Sequence, residues 1–251
     1  MEGFTFDEKT HTYKLDGKRM TGVTTVLGII AKPALIQWSA NMAVEYVMDN
    51  FTERLLKYPL PSKDEMDLFF KEAKTAHRRK KEDAGQKGTD VHKEIEVLVK
   101  KAIEKFGGVI GEFHPENKQV DNFVTWATKN EVQFLESEKV MYSKKHFVGG
   151  TCDFTCIMNG NKYVGDIKTS SGIYGREPFA QCAAYRMMLE EMGEKEFEGS
   201  IIVNIPKTGK FNEDKDVHFS PYYEKDLELF LSALSVYRVI NSFEKVNKFN
   251  K

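Results

Sequence analysis

The sequence predicts an α/β fold, on three observations. Residues 134–168 contain three closely spaced runs rich in β-branched and aromatic residues. The segments before them repeat apolar residues at helical spacing. After them, a helical segment at 177–192 leads into the apolar run GSIIVNIP at 199–206, the order expected of a parallel strand reached through a right-handed crossover.

In chain order, FTFDEKTHTYKL at 4–15 reads as a small hairpin. Helices are expected at about 34–56, 63–83, 88–106 and 116–131, with Pro59 and Pro61 breaking the first from the second. In the third, Val91, Ile95, Leu98, Val99, Ala102 and Phe106 form an apolar stripe, and His92 and Glu96 share a face four residues apart. Strands follow at 134–143 and 147–157, joined around Lys144-Lys145. The Asn159-Gly160-Asn161 turn signal then leads into a strand at 162–168. Residues 215–220 read as an edge strand and 222–243 as a last amphipathic helix. The expectation is a single domain over 1–251, with a mainly helical lobe over 1–131, a sheet core over 132–220 and a C-terminal helix over 221–251.

A chain of 251 residues with 41% hydrophobic content can bury a sizeable core. No apolar run approaches the roughly 18 residues of a membrane span, so no membrane partner is expected. MEGFTFDEKT has the character of neither a signal nor a transit peptide, and the three cysteines look unpaired, so a cytoplasmic location is expected. A net charge of −1 argues against electrostatic coating of nucleic acid. A basic path remains open. Within 71–87 seven positive charges, Arg78, Arg79, Lys80 and Lys81 among them, stand against three negative. Such a run is either a solvated helix face or a DNA contact.

Chemistry concentrates between Glu138 and Tyr185, where the chain reads E-x14-D-x12-D-I-K-x12-Q-x3-Y. The expected hairpin sets Asp153 across from Asp166. Period-2 alternation puts Asp166 and Lys168 on one face and Ile167 on the other. By the same alternation Asp153, Thr155 and Ile157 share one face, and Cys152, Phe154 and Cys156 the opposite one. An isolated Asp–Lys pair on a strand is ordinarily a solvated ion pair worth under ~1 kcal/mol. Here the strand is apolar, and charges within a core sheet are costly unless compensated. Two carboxylates with an adjacent ammonium suit phosphodiester hydrolysis: hard oxygens hold Mg2+ or Mn2+, and the lysine orients water or offsets charge on the phosphate.

Gly149-Gly150-Thr151-Cys152-Asp153, Asp166-Ile167-Lys168-Thr169 and Gln181-x-x-x-Tyr185 together resemble the PD-(D/E)XK nuclease superfamily, nearest its RecB-like exonuclease branch. Gly88-Thr89-Asp90-Val91-His92 with Glu96 is similar to that branch's G-x-x-x-H-x-x-x-E helix, and Val23–Gly28 to the opening of phage members. The resemblance implies a restriction-endonuclease-like core: three antiparallel strands, a crossover helix and a further strand, behind a helical N-terminal region. It implies that His92, Asp153, Asp166 and the carbonyl of Ile167 ligate the metal, with Asp153, Asp166 and Lys168 catalytic. Gln181, Tyr185 and Thr169 would contact or position DNA, and Glu96 and Glu138 would be supporting acids. Some relatives carry four cysteines around an iron–sulfur cluster; with only Cys152, Cys156 and Cys182, no such cluster is expected here. A histidine beside an apolar stripe is more often a hydrogen-bonded core residue than a ligand, and the D-x-K chemistry downstream is what favours ligation by His92. The function expected is a metal-dependent DNA exonuclease on single-stranded DNA or duplex ends. Alternatives are a structure-specific endonuclease on the same site, or a non-catalytic DNA-binding protein.

Overall fold

The Asn159-Gly160 turn forms as its residues dictate. Both have positive φ, 51° and 77°, as a two-residue hairpin turn requires, and Met158 pairs with Asn161 across it. The structure is a computed structural model and describes residues 3–30, 32–111, 113–207 and 210–249, with positions 34 and 243–249 described by backbone alone. Met1 and Glu2 of the N-terminal segment, and Asn250 and Lys251 at the C-terminus, lie outside these residues.

In chain order the elements are β1 (Phe4–Asp7), β2 (Thr12–Leu15), β3 (Lys18–Arg19), β4 (Thr21–Gly22), α1 (Val23–Leu27), α2 (Pro33–Leu55), α3 (Lys63–Phe106), α4 (Lys118–Lys129), β5 (Gln133–Ser143), β6 (Val148–Met158), β7 (Asn161–Lys168), α5 (Glu177–Glu191), β8 (Phe197–Asn204), α6 (Glu213–Asp216), β9 (Val217–Ser220) and α7 (Tyr223–Phe249). The chain packs as two compact units. One joins the residues up to Ile30 with those from Val91 onward; the other comprises the residues between. The helical lobe expected over 1–131 is thus shared between them. No helix among the described residues is long and apolar enough to cross a membrane.

The first unit holds both sheets. β1, β2 and β3 form a small antiparallel sheet. The main sheet has the order β4-β6-β7-β8-β9, with β5 also on β6. β5, β6 and β7 are antiparallel, β8 runs parallel to β7 after α5, and β9 returns antiparallel. β5 lines one side of β6 along nearly its whole length, so β7 and β4 must share the other side. β7 takes residues 154–158 and β4 takes 148–149, leaving a gap at 150–153.

Both faces of this sheet are covered, which explains the continuous apolar character of β8. Ile201 and Val203 pack with Ile95, Val99, Val120, Phe123 and Trp126 of α3 and α4. Ile202 packs on the opposite side with Val26, Ala184, Met188 and Phe230 of α1, α5 and α7. Gly149 and Gly150 are needed by close approach. A Cβ on Gly149 would lie 2.5 Å from the Tyr13 ring, and one on Gly150 would lie 2.5 Å from the Tyr185 ring.

Two local expectations are corrected. The helices read at 63–83 and 88–106 are one helix of 44 residues, α3. Gly85 is exposed within it, and flanking helix formers with the Gln86–Asp90 and Thr89–Gly85 bonds outweigh a glycine penalty of ~1 kcal/mol. Cys152 does not share a face with Phe154 and Cys156: it packs with α5, they with α3 and α4. Alternation breaks between them, where the β6–β7 ladder ends at Phe154 and Gly165, and where Glu138, opposite Asp153, has φ 51°. The Val23–Leu27 segment, for which no element was expected, is a helix, α1, preceded by the two-residue strand β4.

Two glycine substitutions should move stability in opposite directions. A Cβ on Gly85 would meet nothing within 4 Å, so G85A should stabilise by about 0.5–1 kcal/mol. G150A drives a methyl into the Tyr185 ring and Met188 and should destabilise by about 1–3 kcal/mol. Thermal melts that rank the two otherwise would contradict this packing.

Candidate active site

The gap in β6 is where the charged residues meet. Asp153 has no strand partner on that side, and its side chain takes the backbone's place: Oδ2 accepts from the Ile167 N–H at 2.6 Å. Asp153 is therefore tied one residue from Asp166. On β7, Asp166 shares its face with Val164, which packs against α5, while Ile167 points to the opposite core. The expected alternation holds here.

Asp166 is 1% exposed. Oδ1 accepts from Gln181 Nε2 at 2.9 Å, and the same Nε2 donates to the Tyr185 hydroxyl at 3.0 Å. Lys168 Nζ stands 2.5 Å from Oδ2, yet Oδ2 is buried and has no partner in hydrogen-bond geometry. The contact is an ion pair off the hydrogen-bond line. Burial raises the Asp166 carboxyl to about 6, with Lys168 opposing and Asp153 adding to the shift. For Lys168 burial acts to lower the pKa, but the charges of Asp166 and Asp153 outweigh it and the net direction is upward. The ammonium stays charged.

His92 on α3 lies beside Asp153, with Nδ1 3.6 Å from Oδ2. Glu96, one turn on, is ion-paired to Lys100. Burial, then Asp153 and Glu96, push the Glu138 carboxyl up to about 8, with Lys100 opposing. Its left-handed backbone at φ 51° is uncommon for a non-glycine residue, and such strain gathers at functional sites.

Of the expected substrate residues, Gln181 and Tyr185 stand one turn apart beneath Asp166. Tyr185 is 2% exposed, so of contact and positioning only positioning fits it. Thr169 is half-buried in the loop after β7. Arg78, Arg79, Lys80 and Lys81 belong to the other unit and are exposed. There Arg79 donates to Thr75 Oγ1 and to the Glu72 carbonyl, and its guanidinium lies over the Tyr46 ring. The three cysteines are free and buried. Burial pushes their thiols up, that of Cys156 to about 12, which leaves none as a thiolate nucleophile.

Among the described residues no three His, Cys, Asp or Glu side chains stand close enough to hold a metal ion. The chemistry of the donors nevertheless suits Mg2+ or Mn2+: two carboxylates, an imidazole and a strand carbonyl. Asp153 and Asp166, two carboxylates tied one residue apart, are the observation that favours a cation there, and in this arrangement Lys168 serves as the counter-ion of Asp166. Sequence reasoning missed Asn204. It is fully buried at the end of β8, where it pairs in register with Lys168; only the strand pairing marks it. No protein-family model matches the chain, and no curated protein matches it significantly.

The acids make the metal-free protein sensitive to pH. A carboxyl raised in the folded state holds a proton that the unfolded chain releases in the ordinary carboxylate range. Its stabilisation is complete below that range and is lost as pH rises through the folded value. With Asp166 near 6 and Glu138 near 8, the melting temperature in EDTA should fall between pH 5 and pH 9. E138Q should flatten the upper part of that fall. An unchanged slope in E138Q would show that Glu138 is not the titrating group.

Proposed function

We propose that the chain is a Mg2+- or Mn2+-dependent deoxyribonuclease, an exonuclease acting on single-stranded DNA or duplex ends. The observation that carries this reading is the meeting of Asp153, Asp166 and Lys168 at the gap in β6, with His92 beside Asp153. The antiparallel β5-β6-β7, the helix α5 and the parallel β8 are consistent with a restriction-endonuclease-like core, which is part of the proposal.

His92, Asp153, Asp166 and the Ile167 carbonyl would hold the ion. When bound, it supplies Lewis-acid activation of a phosphate oxygen and of the attacking water. The chain's own residues do the rest. Gln181 holds Asp166 through Oδ1, Oδ2 would be the oxygen shared between the ion and Lys168, and Tyr185 holds Gln181. The backbone of Ile167 fixes Asp153. Lys168 carries a charged ammonium with three donors; one side meets Asp166, and the others orient water and offset the charge developing on the phosphate. The exposed charges of Arg78, Lys80 and Lys81 suit contact with the DNA backbone.

Digestion of end-labelled linear and circular DNA, with Mn2+ or with EDTA, tests this. Linear DNA should be degraded only with the metal, and circular DNA should resist. K168A should slow the reaction on the order of 10²–10³-fold. Activity in EDTA, or K168A keeping more than about a tenth of the wild-type rate, would contradict the proposal, and cleaved circles would point to an endonuclease.

A further inference from the structure

Asn204 is the last residue of β8 and the Cα partner of Lys168 across the parallel ladder. Ile201 and Val203 turn to the core under α3 and α4, and Ile202 to the core under α5. Alternation therefore places Asn204 on the α5 face, the face of Asp166 and Lys168. Its side chain is fully buried. One carboxamide atom lies 3.2 Å from Ser170 Oγ, and the other, assigned as Nδ2, has no hydrogen-bond partner.

The assignment of that amide follows from proton counting. Ser170 has one hydroxyl proton, and the Gly172 carbonyl, 2.8 Å from Oγ, is its nearer acceptor. With the proton spent there, Ser170 meets Asn204 as an acceptor. Nitrogen then belongs at the Ser170 end, since amide orientation is set by the hydrogen-bond network. The buried atom without a partner becomes the carbonyl oxygen. Its neighbour on this face, Lys168, is a donor with three protons, ion-paired to Asp166.

We propose that Asn204 is a positioning residue for Lys168: its amide oxygen accepts one ammonium proton and thereby directs another toward the substrate phosphate. The inference rests on the nuclease reading above. The ammonium then meets Asp166 as an ion pair and gives one proton each to Asn204 and the phosphate. The lysine is held at a fixed angle to the reacting atoms without being neutralised. A plain structural role would instead have Asn204 pin only the 169–172 turn through Ser170.

A double-mutant cycle separates these, because a residue acting through Lys168 has nothing to act on once the lysine is gone. N204L keeps the volume and removes the acceptor; N204A replaces it in the cycle if N204L does not fold. With Mn2+ and linear DNA, N204L should lower kcat about 10- to 100-fold, as for loss of a hydrogen bond to a charged group, with KM within about twofold. In the K168A background the same change should cost less than about twofold. N204D, which restores acceptor oxygens, should recover to within about fivefold of wild type. Equal losses in both backgrounds, a wild-type rate for N204L, or an N204D as slow as N204L would overturn the proposal. Wild-type protein that digests no DNA would instead overturn the nuclease reading, and this inference with it.

Discussion

Asp166 is 1% exposed on a strand covered on both faces, and an ionised carboxylate buried without compensation costs several kcal/mol. Much of the surrounding architecture answers that cost. Alternation along β7 brings Lys168 to the same face, and the polypeptide then crosses through α5 so that Gln181 can donate to Oδ1. Tyr185 supports Gln181 from one turn further along the helix. The Tyr185 ring in turn requires Gly150, because a side chain there would meet it at 2.5 Å. A charge on one strand thus constrains a helix and a second strand.

The compensation is incomplete in a way that bears on function. Lys100 is paired to Glu96 and also acts on Glu138, while Asp153 and Asp166 both act on Lys168. Burial raises the carboxyls of Asp166 and Glu138, Lys168 opposes the shift at Asp166, and Asp153 adds to both. A purely structural ion pair needs no second and third acid. A site short of positive charge is suited to a divalent cation, whose own charge would reverse that local balance.

Much of this was legible in the sequence, and the rest was hidden for physical reasons. The Asn159-Gly160 turn and period-2 alternation were enough to face Asp153 toward β7 and to align Asp166 with Lys168. Helical spacing placed His92 and Glu96 on one face. The continuity of α3 was not readable, because Gly85 and Gly88 look like breakers and tertiary context decides whether they are. The change of face between Cys152 and Phe154 depends on a ladder that stops and on a left-handed Glu138, neither of which composition signals. β4 is two residues long and pairs with a strand more than a hundred residues away, beyond any local pattern. Asn204 became visible only through its register with Lys168.

The central claim is that these acids form a cation site and not a structural salt bridge. The most direct measurement is the shift in melting temperature at pH 7.5 when EDTA is replaced by Mn2+, for wild type and D166N. Wild type should gain about 1.4 kcal/mol at a tenfold excess over the dissociation constant, and D166N should lose most of that gain. No shift in wild type, or an undiminished shift in D166N, would contradict the account.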